Sequence, residues 1–327
     1  MGVSSVGGRA PRWLRAVFIA NLVAQTGIVV TGALVRLTGS GLGCPTWPQC
    51  ATGSYVPTAT QAQAWHKYVE FGNRTLTFIL AILAIAAIVG AFMWSRQLKA
   101  ASGQGRGVIV ALAAVPLLGT FAQAILGGIT VLTGLNPISV SSHFLVSTII
   151  IALCVLLVVR SAEAGDEPVR VLVKPPIRTM SRALVGVALI VLTLGTMVTG
   201  SGPHSGDADV DSRLPFDPRS ISWLHADLVL LFVGLTVAMI LALSVTDSPA
   251  RARRRFWLVL GVALAQGLIG YVQYFTGLPW LVVLLHVAGA CVLWICVVFA
   301  HLALRLRGPL PTPEQEGLGE PLVVSTQ

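Results

Sequence analysis

Charge is what this sequence has least of. Only 11% of its 327 residues are Asp, Glu, Lys or Arg, 13 of them acidic, while 55% are hydrophobic. A soluble domain carries roughly 25% charged residues, so a soluble globular chain is excluded and an integral membrane protein is expected. Short segments of alternating apolar and polar residues are also missing, which excludes a membrane β-barrel. No small-residue cleavage site follows the apolar run after Arg9, Arg12 and Arg15, so that run reads as a retained first helix rather than a leader.

What is there is apolar length. A hydrocarbon core of about 30 Å needs roughly 20 apolar residues per helix. Eight windows supply them, near residues 16–37, 69–94, 108–132, 139–159, 183–202, 221–245, 256–276 and 281–304. The fold class is therefore an all-α, multi-pass membrane protein of eight transmembrane helices. With the N-terminus inside, 17 of the 22 basic residues fall on inner segments; only Arg36, Lys67, Arg74, Arg213 and Arg219 stay outside. That bias places both termini in the cytoplasm. It also accounts for the net charge of +9 by topology, leaving no basic surface for a nucleic acid.

The chain repeats itself. "AQAILGGITVLTGL" (Ala122 to Leu135) returns as "AQGLIGYVQYFTGL" (Ala265 to Leu278), and the offset of 143 residues carries Gln123 to Gln266, Gly127 to Gly270 and His143 to His286. Gly27, Thr31 and Gly32 of the first helix match Gly195, Thr199 and Gly200 of the fifth. Two tandem four-helix bundles are expected, residues 1–165 and 175–307, as parallel repeats joined by the charged linker "RSAEAGDEPVRVLVKPPIR". The Pro- and Gly-rich tail, 308–327, reads as disordered and cytoplasmic.

Ionisable groups within lipid are costly and point to function. His66, His143, His225 and His286 start helices 2, 4, 6 and 8, which run in the same direction, so all four lie at one depth near the outer face. A lone histidine here would make an interhelical hydrogen bond. Repeat-related histidines suit a haem held from two sides of a bundle. A zinc site would need further ligands that neither half offers. His204 and His301 are left to solvent or interface roles. On helix 2, His66, Glu70, Asn73 and Arg74 share one face. Arg74 either neutralises Glu70 or clamps a propionate while Glu70 acts on a bound substrate as base or charge stabiliser. Cys44 and Cys50 bracket "CPTWPQC" in the first outer loop, where an oxidising compartment favours a disulfide. Cys154, Cys291 and Cys296 read as packing residues. Asp207, Asp209 and Asp211 alternate as in a calcium loop, but Ser212 and Pro218 stand where that motif needs Gly and Glu.

These residues resemble the haem A synthases. "TGALVRLTGSGLGCPTWPQC" is similar to that family's first helix and Cys-bearing loop, "EFGNR" to its helix 2 motif, and "TGSGPHSGD" to the start of its second outer segment. The resemblance implies oxidation of the C8 methyl of haem O to a formyl group, giving haem A for cytochrome c oxidase. It implies His225 and His286 on a haem b cofactor and a substrate haem near Glu70 and His143, with Glu70 then read as the catalytic carboxylate and Arg74 at a propionate. It further implies a haem O synthase as neighbour and oxidase assembly as destination, while the depth of the histidines puts the haem sites toward the extracytoplasmic side of the cell membrane. One position departs: Asn73 stands where the family has a histidine ligand. Either His143 holds the substrate from one side, which is the favoured reading, or His66, about 10 Å further along the helix, substitutes.

Two rivals predict other behaviour. A two-haem carrier of the cytochrome b kind would do no chemistry on haem, and a transporter built on parallel repeats would bind none. The charge asymmetry makes a test of its own: green fluorescent protein fused after residue 307 is expected to fluoresce and alkaline phosphatase at the same point to stay inactive. The reverse pattern would invert the topology.

Overall fold

In the computed structural model, described for residues 8–204, 206–207 and 212–307, eight helices hold most of the described residues. They are α1 (Arg12–Leu37), α2 (His66–Ser102), α3 (Gly107–Leu132), α4 (Pro137–Ala162), α5 (Pro175–Ser201), α6 (Pro218–Ser244), α7 (Ala250–Phe275) and α8 (Trp280–Leu302). Each is long and apolar enough to cross a membrane. The tail 308–327, with Asp209 and Asp211, lies outside the described residues.

The helices overrun the apolar windows that announce them. α2 begins at His66 and continues to Ser102, and α5 starts at Pro175, eight residues ahead of its apolar stretch. Hydropathy registers only the part in hydrocarbon, whereas backbone hydrogen bonding carries the helix on into the polar boundary. Entry points are built from proline at the first turn, whose missing N–H costs nothing there: Pro137, Pro175 and Pro218. Asn136 accepts from Ile138 N at 2.9 Å and Asp217 from Ser220 N at 2.8 Å, each capping its helix. The same hydroxyl-and-amide embrace by Ser220 lowers the Asp217 pKa.

Neighbour relations divide the helices into two rings. α1 packs on α2 and α4, α2 on α3, and α3 on α4; then α5 packs on α6 and α8, α6 on α7, and α7 on α8. A seam of α4 and α8, flanked by α1·α8 and α4·α5, joins the rings. Its buried side chains include Ile151, Cys154 and Val155 of α4 with Trp294, Val297 and Ala300 of α8. The Trp294 indole N–H donates to the Thr148 carbonyl at 2.8 Å, so the ring buries its polar atom in the seam without leaving it unpaired. A second apolar cluster joins Leu14 and Phe18 of α1 to Ala87, Ala91 and Trp94 of α2 and Ile109 of α3. Large apolar side chains such as Phe78, Ile82, Leu118, Phe121 and Leu268 point outward, as a protein surrounded by lipid requires.

Two short features lie outside the helices. The linker after α4 contains β1 (Arg170–Val171), which pairs antiparallel with β2 (Arg305–Leu306) beyond α8. At the other end, Arg36 reaches from α1 to donate to the Thr199 carbonyl of α5 at 2.8 Å, and Gly41 N donates to Gly206 O at 2.8 Å. The rings are thus strapped together at both ends.

Replacing Trp294 with Ala removes the largest side chain of the seam together with its hydrogen bond. A loss of about 3–5 kcal/mol is expected for such a deletion. The expected readout is a markedly lower Tm of the purified protein in detergent, and an unchanged Tm would show that the seam contributes little.

Candidate functional site

Each of three helix pairs seats a histidine in the same way. A Cβ added at Gly127 of α3 would stand 3.4 Å from His143 Cε1 of α4. At Gly195 of α5 it would stand 3.4 Å from His225 Cε1 of α6, and at Gly270 of α7 the same distance from His286 Cε1 of α8. Glycine lets the imidazole lie against the neighbouring backbone; an alanine methyl would just touch the ring, and a larger side chain would push it away. All three residues keep some accessible surface; Nδ1 is sealed in each, and the His225 ring lies within hydrogen-bonding reach of the Val191 backbone of α5. Nε2 is the ring nitrogen that is not sealed in this way.

Only the unsealed Nε2 can meet a ligand, so the three seats present equivalent ligating atoms. Among the described residues no three of His, Cys, Asp or Glu cluster closely enough to hold a bare metal ion. His225 and His286 do lie within electrostatic reach of each other, on α6 and α8 of one ring. Two imidazoles from opposite helices, with no third ligand among the described residues, are a set that would hold a haem iron, which would supply one-electron redox chemistry.

Sequence reasoning listed the glycines only as repeat positions; their role as seats is a tertiary fact. It also passed over Gln123 as more than a repeat position. One turn before Gly127, Gln123 Nε2 donates to the His143 carbonyl at 2.9 Å and to Ser147 Oγ, fixing α4 against α3. The repeated Ala-Gln-x3-Gly pattern was the available clue.

The fourth pair breaks the pattern. Nothing lies within 4 Å of a Cβ placed at Gly27 of α1, and α2 presents Asn73 there instead, its Oδ1 accepting from Thr31 Oγ1 at 2.7 Å. His66 is turned elsewhere: its Nδ1 meets Ser40 Oγ at 2.9 Å and its ring stacks on Trp65.

Glu70 and Arg74 are joined to the loop between α1 and α2. Cys44 and Cys50 form a disulfide. Glu70, 5% exposed, accepts on Oε2 from the Cys44 N–H at 2.6 Å and on Oε1 from Arg74 Nε at 3.0 Å and Nη2 at 2.5 Å. Arg74 also donates from Nη2 to Cys44 O at 2.8 Å and from Nη1 to Thr46 O and Gln49 O, both at 3.1 Å. A guanidinium has five N–H donors, and all five are engaged. A propionate at Arg74 would have to displace one of these acceptors. The loop's Trp47 indole packs so closely on α3 that any side chain at Gly128 would collide with it.

A family model described as "Cytochrome oxidase assembly protein", COX15-CtaA, matches residues 13–204, more than half of the chain. Curated relatives named "Heme A synthase" are similar to it. That of Geobacillus thermodenitrificans is 33% identical over 131 residues, 40% of this chain and 37% of that protein. That of Geobacillus kaustophilus is 31% identical over 140 residues, 42% of this chain and 40% of that protein. That of Listeria welshimeri is 30% identical over 147 residues, 45% of each. The chain thus spans less than half the length of the curated relatives it matches.

The seats make a graded prediction. Gly195→Ala and Gly270→Ala are expected to leave the haem absorbance of purified protein near wild type, whereas Gly195→Val and Gly270→Val are expected to lower it severalfold. Equal absorbance in all four would mean that the rings do not depend on their glycines.

Proposed function

The chain belongs to the COX15-CtaA family of cytochrome oxidase assembly proteins, and from that premise we propose that it is a haem A synthase, oxidising the C8 methyl of haem O to the formyl group of haem A. The observation that carries this reading is the set of glycine-seated histidines, each with Nε2 unsealed, within membrane-spanning helices.

The two rings divide the work. In the second, His225 and His286 offer open Nε2 atoms across one bundle and hold a haem b cofactor. When bound, that haem supplies one-electron redox chemistry. In the first, His143 holds the substrate haem O from one side, while Asn73, already bonded to Thr31, is no iron ligand. One-sided ligation suits a substrate that must leave as product.

Glu70 is the catalytic carboxylate, acting on the substrate as base or charge stabiliser. Three N–H groups converge on it, two from Arg74 and one from Cys44, and they fix its direction before the substrate arrives. Such preorganisation is what makes an electrostatic contribution effective. Arg74 contributes chiefly by holding loop and carboxylate in one frame, and meets a propionate only by giving up a loop carbonyl. His66 supports Ser40 at the rim. The haem sites face the extracytoplasmic side of the cell membrane, a haem O synthase supplies the substrate, and the product goes to cytochrome c oxidase assembly.

Extraction of haems from cells expressing Glu70→Ala is expected to give haem O in place of haem A, with the haem b spectrum of the purified protein retained. Replacing His225 and His286 by Ala is expected to abolish that spectrum. If Glu70→Ala still makes haem A at the wild-type rate, the carboxylate is not catalytic; if the paired His variant keeps its Soret band, the cofactor lies elsewhere.

A further inference from the structure

At the end of the molecule that carries the described chain termini, a cavity of about 250 Å³ opens between α3, α4 and the β1–β2 ribbon. One wall is apolar: Val108 and Leu112 from the start of α3 and Leu156 from the end of α4. Val108 is 48% exposed, so this wall runs into the outward surface that the helices present to lipid. The other wall is Arg160, Asp166, Arg305 and Arg307.

Charge on the polar wall does not balance. Asp166 Oδ1 accepts from Arg106 Nε at 3.1 Å and from Arg160 Nη2, and Glu163 accepts from Arg160 Nη1 at 2.5 Å. The rest of Arg106 is spent on the carbonyls of Gly8, Arg160 and Glu163. Those two carboxylates are therefore committed to Arg106 and Arg160. Arg305 has no hydrogen-bond or ion-pair partner among the described residues. Arg307 donates from Nη1 only to the neutral carbonyls of Asp166 and Glu167, and its Nε is sealed without a partner. At alternate positions of one extended segment, the two side chains share a face. Burial lowers the Arg305 pKa, Glu163 opposes that, and Arg307, Arg160 and Arg178 lower it further.

We propose that this cavity binds the phosphate of an anionic phospholipid, with its headgroup between Arg305 and Arg307 and the start of an acyl chain along Val108, Leu112 and Leu156. Guanidinium forks match phosphate oxygens, and basic pockets between transmembrane helices suit anionic headgroups. A free phosphate would satisfy the arginines but leave the apolar wall uncovered, which favours the lipid. The volume suits a headgroup and the top of a chain rather than a whole lipid. Bound there, a lipid would join α3 and α4 to the ribbon that ends α8.

The test uses the full chain in nanodiscs of phosphatidylcholine alone or mixed with phosphatidylglycerol, comparing wild type with Arg305→Gln/Arg307→Gln and Arg305→Lys/Arg307→Lys. Retained lipid is read by mass spectrometry, stability as Tm, and folding by circular dichroism. Wild type is expected to retain phosphatidylglycerol severalfold over phosphatidylcholine and to gain several degrees of Tm from it. The Gln pair is expected to lose both effects and the Lys pair to keep part of them; if the Gln pair fails to fold, Arg305→Gln alone is read the same way. Inorganic phosphate added to phosphatidylcholine discs is expected to leave Tm unchanged. Equal retention of the two lipids by wild type, undiminished preference in the Gln variant, or full stabilisation by inorganic phosphate would each overturn the proposal.

Discussion

An imidazole set against a glycine inside a membrane-spanning helix is the interaction on which the rest of this structure depends. The glycine lets two helices approach until ring meets backbone. A fold that repeats this seat in α3–α4, α5–α6 and α7–α8 has its helix spacing set by ring thickness. Gln123 reinforces the arrangement by bonding the carbonyl of the histidine itself. The α1–α2 pair, where Gly27 faces open space and Asn73 bonds Thr31, is released from the rule, and that difference separates the two rings chemically.

The Glu70–Arg74 pair is organised by a different principle. Both are held by the α1–α2 loop, whose own shape is held by them, since the guanidinium gathers carbonyls from Cys44, Thr46 and Gln49 while the carboxylate takes the Cys44 amide. The disulfide closes the loop at its two ends, and Trp47 anchors its middle to α3. The carboxylate's direction therefore depends on main-chain atoms well before it in sequence.

Much of this was legible in the sequence, and the boundary is informative. Eight helices follow from apolar length, the match of His143 with His286 from a 143-residue offset, His225 from its place at the start of an even-numbered helix, and the Cys44–Cys50 bond from the loop they bracket. The pairing of Glu70 with Arg74 follows from helical spacing, and Oε1 does accept from Arg74. That every donor of Arg74 is engaged could not be read, because three of its acceptors are carbonyls of a loop with no periodicity. Main-chain acceptors carry no residue type, so composition cannot announce them. Arg36 illustrates the same limit: counted as an outer charge, it bonds the Thr199 carbonyl across the seam. The linker's strand was equally silent, since two residues are too few to set a period.

That strand also fixes an order of events. β1 lies between the two sets of four helices, but its partner, β2, comes after the last helix. During synthesis the first ring and the linker leave the ribosome long before Arg305 does, so no nascent intermediate can contain the ribbon. The ribbon is a late stitch: its hydrogen bonds exist only once α8 has been threaded, and an amide-exchange probe on Leu172, whose N–H is held by Leu304 O at 3.0 Å, would report the joining of the second ring to the linker rather than the folding of the first.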